Sequence, residues 1–252
     1  MIFSIFKPSF VFKGGLNFLY IVMKKHIPNT LTCLNLFSGC IGVLFVLTGE
    51  FLLAFYCVLA SGIFDFFDGM IARLLHVKSD IGKELDSLAD VISFGFLPGA
   101  VLYKLLEAST DNVYLPYLGF IVTAFSALRL AKFNVDERQT SEFIGLNTPM
   151  NAFFIMSLPF IGAAHPTWIY QPLVLLVIVA LVSFLLVSEI RLFSMKLSSL
   201  AWKENKFRYI FLFISIVLLI TLRFSALPLI LISYFIFSQL HFRLQKQQDK
   251  YE

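Results

Sequence analysis

The chain contains eight apolar runs that are long enough, or nearly long enough, to cross a membrane as helices. A spanning helix needs about 20 mostly apolar residues. Hydrophobic residues make up 58% of the chain and charged residues only 14%, against roughly 25% charged in soluble proteins. This excludes a soluble globular domain, a disordered chain and a nucleic-acid-binding module. We predict an all-α polytopic membrane protein with spans at 31–48, 51–74, 84–106, 113–132, 149–165, 172–190, 208–222 and 225–242.

The basic residues predict how these spans are oriented. Eight crossings place both termini on one side of the membrane, and of the 20 Lys and Arg residues only Lys104 and Arg223 fall on the other side. Basic residues concentrate in cytoplasmic loops. We therefore predict a multi-pass protein of the cytoplasmic (inner) membrane with both termini cytoplasmic. The positive net charge is explained by this orientation, so no nucleic-acid partner is expected.

The predicted domain organisation is a single membrane domain with additions at each end. Residues 1–27 are predicted to be an interfacial or poorly ordered extension, because their apolar run is interrupted by Lys7, Pro8 and Lys13. Residues 28–252 form the membrane domain. Its core is expected at 28–192, and an extra helix hairpin at 207–242.

Two pairs of aspartates lie near the same predicted end of the bundle. Asp65 and Asp68 are three residues apart in the second span, and Asp86 and Asp90 are four apart in the third, so each pair shares a helix face. A carboxylate at a helix centre costs about 2.5–3.5 kcal/mol on insertion scales, and neighbouring carboxylates repel. We predict that the four carboxylates bind two divalent ions, Mg²⁺ or Mn²⁺, because hard cations prefer oxygen ligands. The alternative is ion pairing with interfacial Lys and Arg.

Small and basic residues accompany these aspartates. Gly69 and Gly82 lack a Cβ, so the ring or phosphate of a ligand can approach the backbone. Ala72 adds only a methyl group to the surface of the next helical turn. Arg73 has a planar guanidinium that can donate hydrogen bonds to a phosphate oxygen. The alternative interpretation is that the small residues only allow close helix packing.

Together these residues form a pattern that resembles the signature of the CDP-alcohol phosphotransferase family. Asp65-x-x-Asp68-Gly69-x-x-Ala72-Arg73 is followed, after eight residues, by Gly82-x-x-x-Asp86-x-x-x-Asp90. Within the family, the stretches 28–36, 82–95, 128–135 and 143–149 resemble the phosphatidylserine synthase branch, and the resemblance extends from about residue 28 to about residue 200. Gly145-Leu-Asn-Thr-Pro149 departs mildly from that branch's Gly-Leu-Pro-x-Pro.

The resemblance implies an activity and a role for each residue. A six-helix core would transfer the phosphatidyl group from CDP-diacylglycerol to L-serine, giving phosphatidylserine and CMP. It implies that Asp65, Asp68 and Asp86 hold one metal ion, that Asp65, Asp86 and Asp90 hold or approach a second, and that Asp90 is the general base. It also implies that the protein forms a homodimer and contacts membrane lipids. The implied donor-binding residues are Asn29, Thr32, Gly69, Ala72, Arg73, Ser79 and Gly82.

The acceptor is less constrained by the sequence than the donor. Arg129, Lys132 and Asn134, at the end of the fourth span, are candidates for the carboxylate of serine or for donor phosphates. Alternatively, Arg129 and Lys132 are interfacial anchors.

Other acceptors and one other class of protein stay open. The same chemistry could use glycerol 3-phosphate, inositol or inositol phosphate. A phosphorylated acceptor would need an extra cluster of two or three arginines near the aspartates. The sequence offers only Arg129 and Arg138 as candidates, which favours an unphosphorylated acceptor. A cation transporter, which also keeps intramembrane acids, is a distant alternative because these acids lie toward one interface.

Overall fold

The structure, a computed structural model, describes residues 11–77, 79–136, 142–194 and 202–248. These residues form a bundle of helices with one short pair of strands. Leu115–Phe120 and Arg223–Ser225 are short 3₁₀ helices, and Val91–Phe96 is a π-helical turn. The other elements are α1 (Val11–Leu47), α2 (Phe51–Leu74), α3 (Asp80–Asp90), α4 (Leu97–Glu107), α5 (Ile121–Val135), β1 (Glu142–Ile144), α6 (Thr148–Ala164), α7 (Pro166–Ile169), α8 (Pro172–Val187), β2 (Arg191–Phe193), α9 (Trp202–Leu222) and α10 (Ala226–Gln248).

The predicted membrane architecture is confirmed. Five helical segments of the described residues are long and apolar enough to cross a membrane: His26–Leu47, Phe51–Leu74, Asp80–Glu107, Leu115–Val135 and Asn205–Leu244. The last covers 40 residues and is folded back on itself at Arg223–Ser225, so it supplies two crossings. The shorter apolar helices α6 and α8 complete a set that matches the eight predicted spans. The chain is an integral, multi-pass membrane protein.

Large apolar side chains cover the outside of the bundle, as a lipid environment requires. Phe37, Leu44 and Ile220 are among many that are more than half exposed. The main buried core joins residues of α1, α2, α4, α5, α6 and α8 with Phe94. A second, smaller core contains Leu192 and Phe193 of β2, Phe211 of α9 and Tyr234 of α10. The C-terminal hairpin therefore packs on β2 with a core of its own, although Phe224 and Leu227 also contact the main core.

The structure differs from the sequence-based expectation at several element boundaries. The first helix begins at Val11 rather than at 31, and α8 ends at Val187, three residues before the predicted end at 190. The chain after α8 becomes extended because Arg191–Phe193 pairs antiparallel with Glu142–Ile144, a pairing too short and too local to be predicted from periodicity. The third predicted span is interrupted by the π-helical turn after Asp90.

Some sequence-based predictions lie partly outside the described residues. Residues 1–10 of the extension predicted at 1–27 lie outside the described ranges. So does Arg138, the second arginine predicted near the site. The division of the chain into an extension, a core and an added hairpin stays a prediction.

Close contact between α1 and the π-helical turn fixes the third crossing against the first. A Cβ added to Gly39 would lie 2.5 Å from Ser93 Oγ and 2.9 Å from Ser93 Cα. The side chain of Ser93 donates to the carbonyl of Asn35 at 3.0 Å. Because a backbone atom is part of this contact, no rotation of a side chain could make room for a larger residue at position 39.

We predict that Gly39→Ala lowers the thermal stability of the purified protein in detergent. The added methyl overpacks the α1 contact, which costs about 1–3 kcal/mol and outweighs the helix-propensity gain of about 1 kcal/mol. Gly62→Ala is the matched control, because its Cβ would lie 3.5 Å from the Phe153 ring in ordinary contact. Equal melting temperatures for the two variants would contradict this account of the packing.

Candidate active site

Three of the predicted aspartates converge where α2 and α3 face each other. Asp65 and Asp68 lie on α2 and Asp86 on α3. One carboxylate oxygen from each lies within 4.8 Å of the other two. Asp68 is buried, and Asp65 and Asp86 are half-buried. The helical spacing in the sequence thus produces a cluster of three carboxylates at one end of the bundle.

The chemistry of this cluster fits a bound cation. The carboxyl groups of Asp65 and Asp86 are close enough for a hydrogen bond between them, which requires a proton on one of the two. When both are ionised they repel each other, and a cation between them would offset that repulsion. The Oδ1 atom of Asp86 is buried and has no hydrogen-bond partner in the described part of the chain. A buried anionic oxygen without a partner is costly, and a divalent ion would satisfy it. These three residues could therefore hold a metal ion.

Asp90 lies next to this triad but is held separately. It is on the same helix as Asp86, only 7% exposed, and close enough to Asp65 and Asp86 to interact with them electrostatically. Asn35 Nδ2 donates to Asp90 Oδ1 at 3.2 Å. Asp90 is thus restrained through one oxygen by α1, as a carboxylate beside the triad rather than as a member of it.

Helix α1 orients the carboxylates of both other helices. Thr32 Oγ1 donates to Asp68 Oδ2 at 2.7 Å, and Asn35 contacts Asp90 one turn further along the same face. The backbone carbonyl of Asn35 also accepts from Ser61 of α2 at 3.1 Å and from Ser93 at 3.0 Å. Asn35 is therefore a buried contact shared by three crossings.

Three of the predicted donor-binding residues meet at the start of α3. Ser79 is the N-cap of this helix, and its side chain accepts from the Gly82 backbone N–H at 3.0 Å. A Cβ at Gly82 would lie 3.2 Å from Asn29 Oδ1 and 3.0 Å from Ser79 Oγ. The bare glycine therefore leaves its backbone open beside two polar side chains.

Three more of the predicted donor-binding residues, Gly69, Ala72 and Arg73, lie at the end of α2. The Arg73 guanidinium lies over Gly69, at 3.5 Å from where a Cβ would be, and it interacts electrostatically with Asp68. Ala72, half-buried, is one turn after Asp68. Thr32 was also predicted to face the nucleotide; here its hydroxyl contacts Asp68 and it is only 2% exposed.

The three candidate acceptor residues are not brought together. Arg129 is 8% exposed and near enough to Asp90 to attract it; its Nη1 donates to Thr148 Oγ1 at 3.4 Å. Lys132 is exposed, and its Nζ lies 3.8 Å from Glu189 Oε1. Asn134 Nδ2 donates to Ser87 Oγ at 2.8 Å, which ties the end of α5 to α3. Arg129 is therefore the candidate that faces the carboxylates.

Sequence reasoning missed Asn35 and Thr148 as site residues. Asn35 is a fully buried amide in a mostly apolar stretch of α1. It lies three residues after Thr32, and this spacing is the signal that could have found it. Thr148 is the first residue of α6 and is fully buried. Its contact with Arg129 joins helices whose adjacency no local pattern reveals.

Comparison with known sequences identifies the group of enzymes in which this site occurs. The sequence model of the CDP-alcohol phosphatidyltransferase family matches residues 25–184, a range that contains the aspartates, both glycines and Arg73. The chain belongs to this family. Members of the CDP-alcohol phosphatidyltransferase family are transferases of lipid synthesis, and the resemblance seen in the signature is confirmed.

Several curated relatives share a narrower name. The chain is 35% identical over 153 residues to the CDP-diacylglycerol–serine O-phosphatidyltransferase of Bacillus subtilis, covering 59% of this chain and 72% of that protein. It is 30% identical over 193 residues to the enzyme of the same name from Helicobacter pylori, covering 75% and 80%. An archaetidylserine synthase of Methanothermobacter thermautotrophicus is 34% identical over 168 residues, covering 65% and 68%.

We predict that Thr32→Val weakens metal binding about tenfold or more, the range typical of losing a hydrogen bond to a metal ligand. The variant removes the donor to Asp68 while keeping the shape of the side chain. The measurement is the Mn²⁺ concentration that gives half of the maximal thermal stabilisation of the purified protein.

Thr30→Val is the matched control, because among the described residues the Thr30 hydroxyl donates to the carbonyl of His26 in its own helix, at 2.8 Å, and to no carboxylate. Unchanged Mn²⁺ dependence in Thr32→Val would remove Thr32 from the metal site and leave its predicted contact with the nucleotide.

Proposed function

We propose that this protein transfers the phosphatidyl group of CDP-diacylglycerol to L-serine, giving phosphatidylserine and CMP. The observation that carries the proposal is the carboxylate triad of Asp65, Asp68 and Asp86, which brings one oxygen from each residue within 4.8 Å of the other two, beside Arg73, Gly69 and Gly82. Serine as the acceptor is supported by the names of the relatives that match this chain over half of its length or more.

The donor's nucleotide and pyrophosphate would bind across the ends of α2 and α3. Arg73 would contact a phosphate oxygen with its planar guanidinium, and Asn29, Ser79 and Gly82 would receive the cytidine side. Thr32 and Ala72 complete the predicted set. This placement is supported by Gly82, which has no side chain to fill the space beside Asn29 Oδ1 and Ser79 Oγ.

Asp65, Asp68 and Asp86 would hold Mg²⁺ or Mn²⁺, and Asp90 would complete the site for a second ion. Bound divalent cations neutralise pyrophosphate oxygens and stabilise the charge that develops on the departing CMP. Thr32 orients one of these carboxylates, and α2 and α3 are rigid helices that fix the spacing of the rest. The chain's contribution is to hold the oxygens in place before substrate arrives.

Asp90 is the proposed general base. Asn35 occupies one of its oxygens, which leaves Oδ2 for the hydroxyl of the acceptor. The serine hydroxyl oxygen would attack the phosphorus that bears diacylglycerol, its proton would pass to Asp90, and the bond from phosphorus to the CMP oxygen would break. A positioned base of this kind contributes about 10²–10⁴ in rate.

Arg129 is the proposed partner of the acceptor's carboxylate. Its guanidinium is almost wholly buried, its Nε has no hydrogen-bond partner among the described residues, and it lies near Asp90. A buried arginine with free donor capacity suits a carboxylate, which accepts in its plane. Lys132 and Asn134 lie further along the same helix, and a part for them in substrate binding stays a prediction.

We propose that the protein lies in the cytoplasmic (inner) membrane with its active site facing the cytoplasm. Arg73, Lys83, Arg129 and Lys132 lie at the same end of the bundle as the aspartates, and this excess of basic residues is typical of cytoplasmic ends. The termini would lie on that side as well. A homodimer surrounded by membrane lipids is proposed on family resemblance alone.

The test is CMP release from CDP-diacylglycerol by the purified protein with Mn²⁺ or Mg²⁺. Serine, glycerol 3-phosphate, inositol and no acceptor are compared. We expect CMP release that depends on serine, and a loss of about 10² or more in rate for Asp90→Asn.

Asp80→Asn is the matched control, because Asp80 is an exposed aspartate in the first turn of the same helix; its activity should match the parent protein. Release of CMP only with glycerol 3-phosphate or inositol would overturn the acceptor while keeping the donor. Full activity in Asp90→Asn would remove Asp90 as the base.

A further inference from the structure

The C-terminal hairpin of α9 and α10 lies beyond residues 25–184, the part matched by the family model, yet it is bonded to the region beside Arg129. β1, β2 and the loop Gly145–Asn147 that follows β1 are together called the strap. β2 pairs with β1 along one edge. Its other edge carries backbone groups that need partners, and the hairpin supplies them.

Side chains of the hairpin bond the outward-facing backbone groups of Arg191 and Phe193 on the free edge of β2. The Tyr234 hydroxyl donates to the Phe193 carbonyl at 2.7 Å, and the Phe193 N–H donates to Ser238 Oγ at 3.3 Å. Gln239 Nε2 donates to the Arg191 carbonyl at 3.1 Å. Arg191 and Phe193 are two residues apart in the strand, so the backbone groups of both point to the same edge, away from β1. The hairpin thus replaces the neighbouring strand that this edge lacks.

The strap leads directly to the first residue of α6. Gly145 N–H donates to the Ile190 carbonyl at 2.9 Å, and Leu146 N–H donates to the Leu185 carbonyl at 2.9 Å. Asn147 caps α6 through the Met150 N–H, which places Thr148 at the helix start. Thr148 in turn accepts from Arg129 Nη1. A continuous set of bonded groups therefore runs from α10 to the Arg129 guanidinium.

Tyr234 is the residue of the hairpin best placed to act on this arginine. Its ring packs against Phe193 and Phe211, with centroids 5.1 and 5.5 Å away, and it is only 2% exposed. It is also near enough to Arg129 to interact with its charge. A phenylalanine would satisfy the packing, and a buried hydroxyl is costly unless it is bonded. The hydroxyl is therefore explained by its bond to the strap rather than by the core.

We infer that the C-terminal hairpin positions Arg129 for the acceptor alcohol, and that the Tyr234 hydroxyl is the positioning group, acting through Phe193 and the strap. The inference rests on the proposed function, in which Arg129 binds the acceptor's carboxylate. It separates two roles along the chain: residues of α1, α2 and α3 hold the donor and metal, and the hairpin sets the acceptor side.

The experiment compares Tyr234→Phe with Ser233→Ala in the full-length purified protein. Ser233 is the neighbouring hydroxyl on α10, and within the described part of the chain it donates to the Ile230 carbonyl of its own helix, at 2.8 Å, and not to the strap. We expect Tyr234→Phe to raise KM for serine about threefold to tenfold, the effect of one lost hydrogen bond. KM for CDP-diacylglycerol should change little, and Ser233→Ala should match the parent protein. A parallel rise in both KM values would show a general structural role and overturn the inference.

Hydrogen exchange gives a second readout that needs no activity. The amides of Gly145 and Leu146 should exchange faster in Tyr234→Phe than in the parent protein or Ser233→Ala. Unchanged exchange would overturn the inference even if the enzyme used serine. If the parent protein released CMP only with another alcohol, the proposed function would fail on its acceptor, and KM for that alcohol would test the hairpin in the same way.

Discussion

Repulsion among buried carboxylates is the constraint on which the rest of this structure depends. Two unit charges 4 Å apart interact by about 4 kcal/mol at an effective dielectric constant of about 20, and three carboxylates here have oxygens within 4.8 Å of one another. A hydrogen bond to a charged group contributes about 1.5–3 kcal/mol, so the bond from Thr32 to Asp68 cannot offset the repulsion. A divalent cation can, and a phosphate-bearing donor explains why such a site would be kept.

The helices around the carboxylates form a rigid frame for them. Asn35 of α1 contacts Asp90 through its side chain and receives Ser61 and Ser93 at its carbonyl, so one residue ties three crossings together. The π-helical turn that carries Ser93 follows Asp90 directly, and such turns occur frequently at functional sites. On the far side, Arg129 is joined to the C-terminal hairpin through Thr148 and the strands. The proposed donor and acceptor sides are thus supported by different parts of the chain.

Much of the fold and the metal site could be predicted from the sequence because both depend on local spacing. Apolar length gave the eight crossings, and three- and four-residue spacing placed Asp65, Asp68, Asp86 and Asp90 on facing surfaces. The strand pair, the role of Asn35 and the contact between Thr148 and Arg129 depend on which helices are neighbours, and no short sequence window contains that information. For the same reason Lys132 and Asn134 looked equivalent to Arg129, although they bond to Glu189 and Ser87 instead.

The central claim is that Asp65, Asp68 and Asp86 hold a divalent cation. The most direct measurement is the amount of Mn²⁺ bound by the purified protein, counted by electron paramagnetic resonance, in the parent protein and in Asp86→Asn. The account predicts saturable binding that is lost or greatly weakened in the variant, because the negative charge of one of the three carboxylates is removed and an amide NH₂ replaces one of its oxygens. Equal Mn²⁺ binding by Asp86→Asn and the parent protein would contradict it.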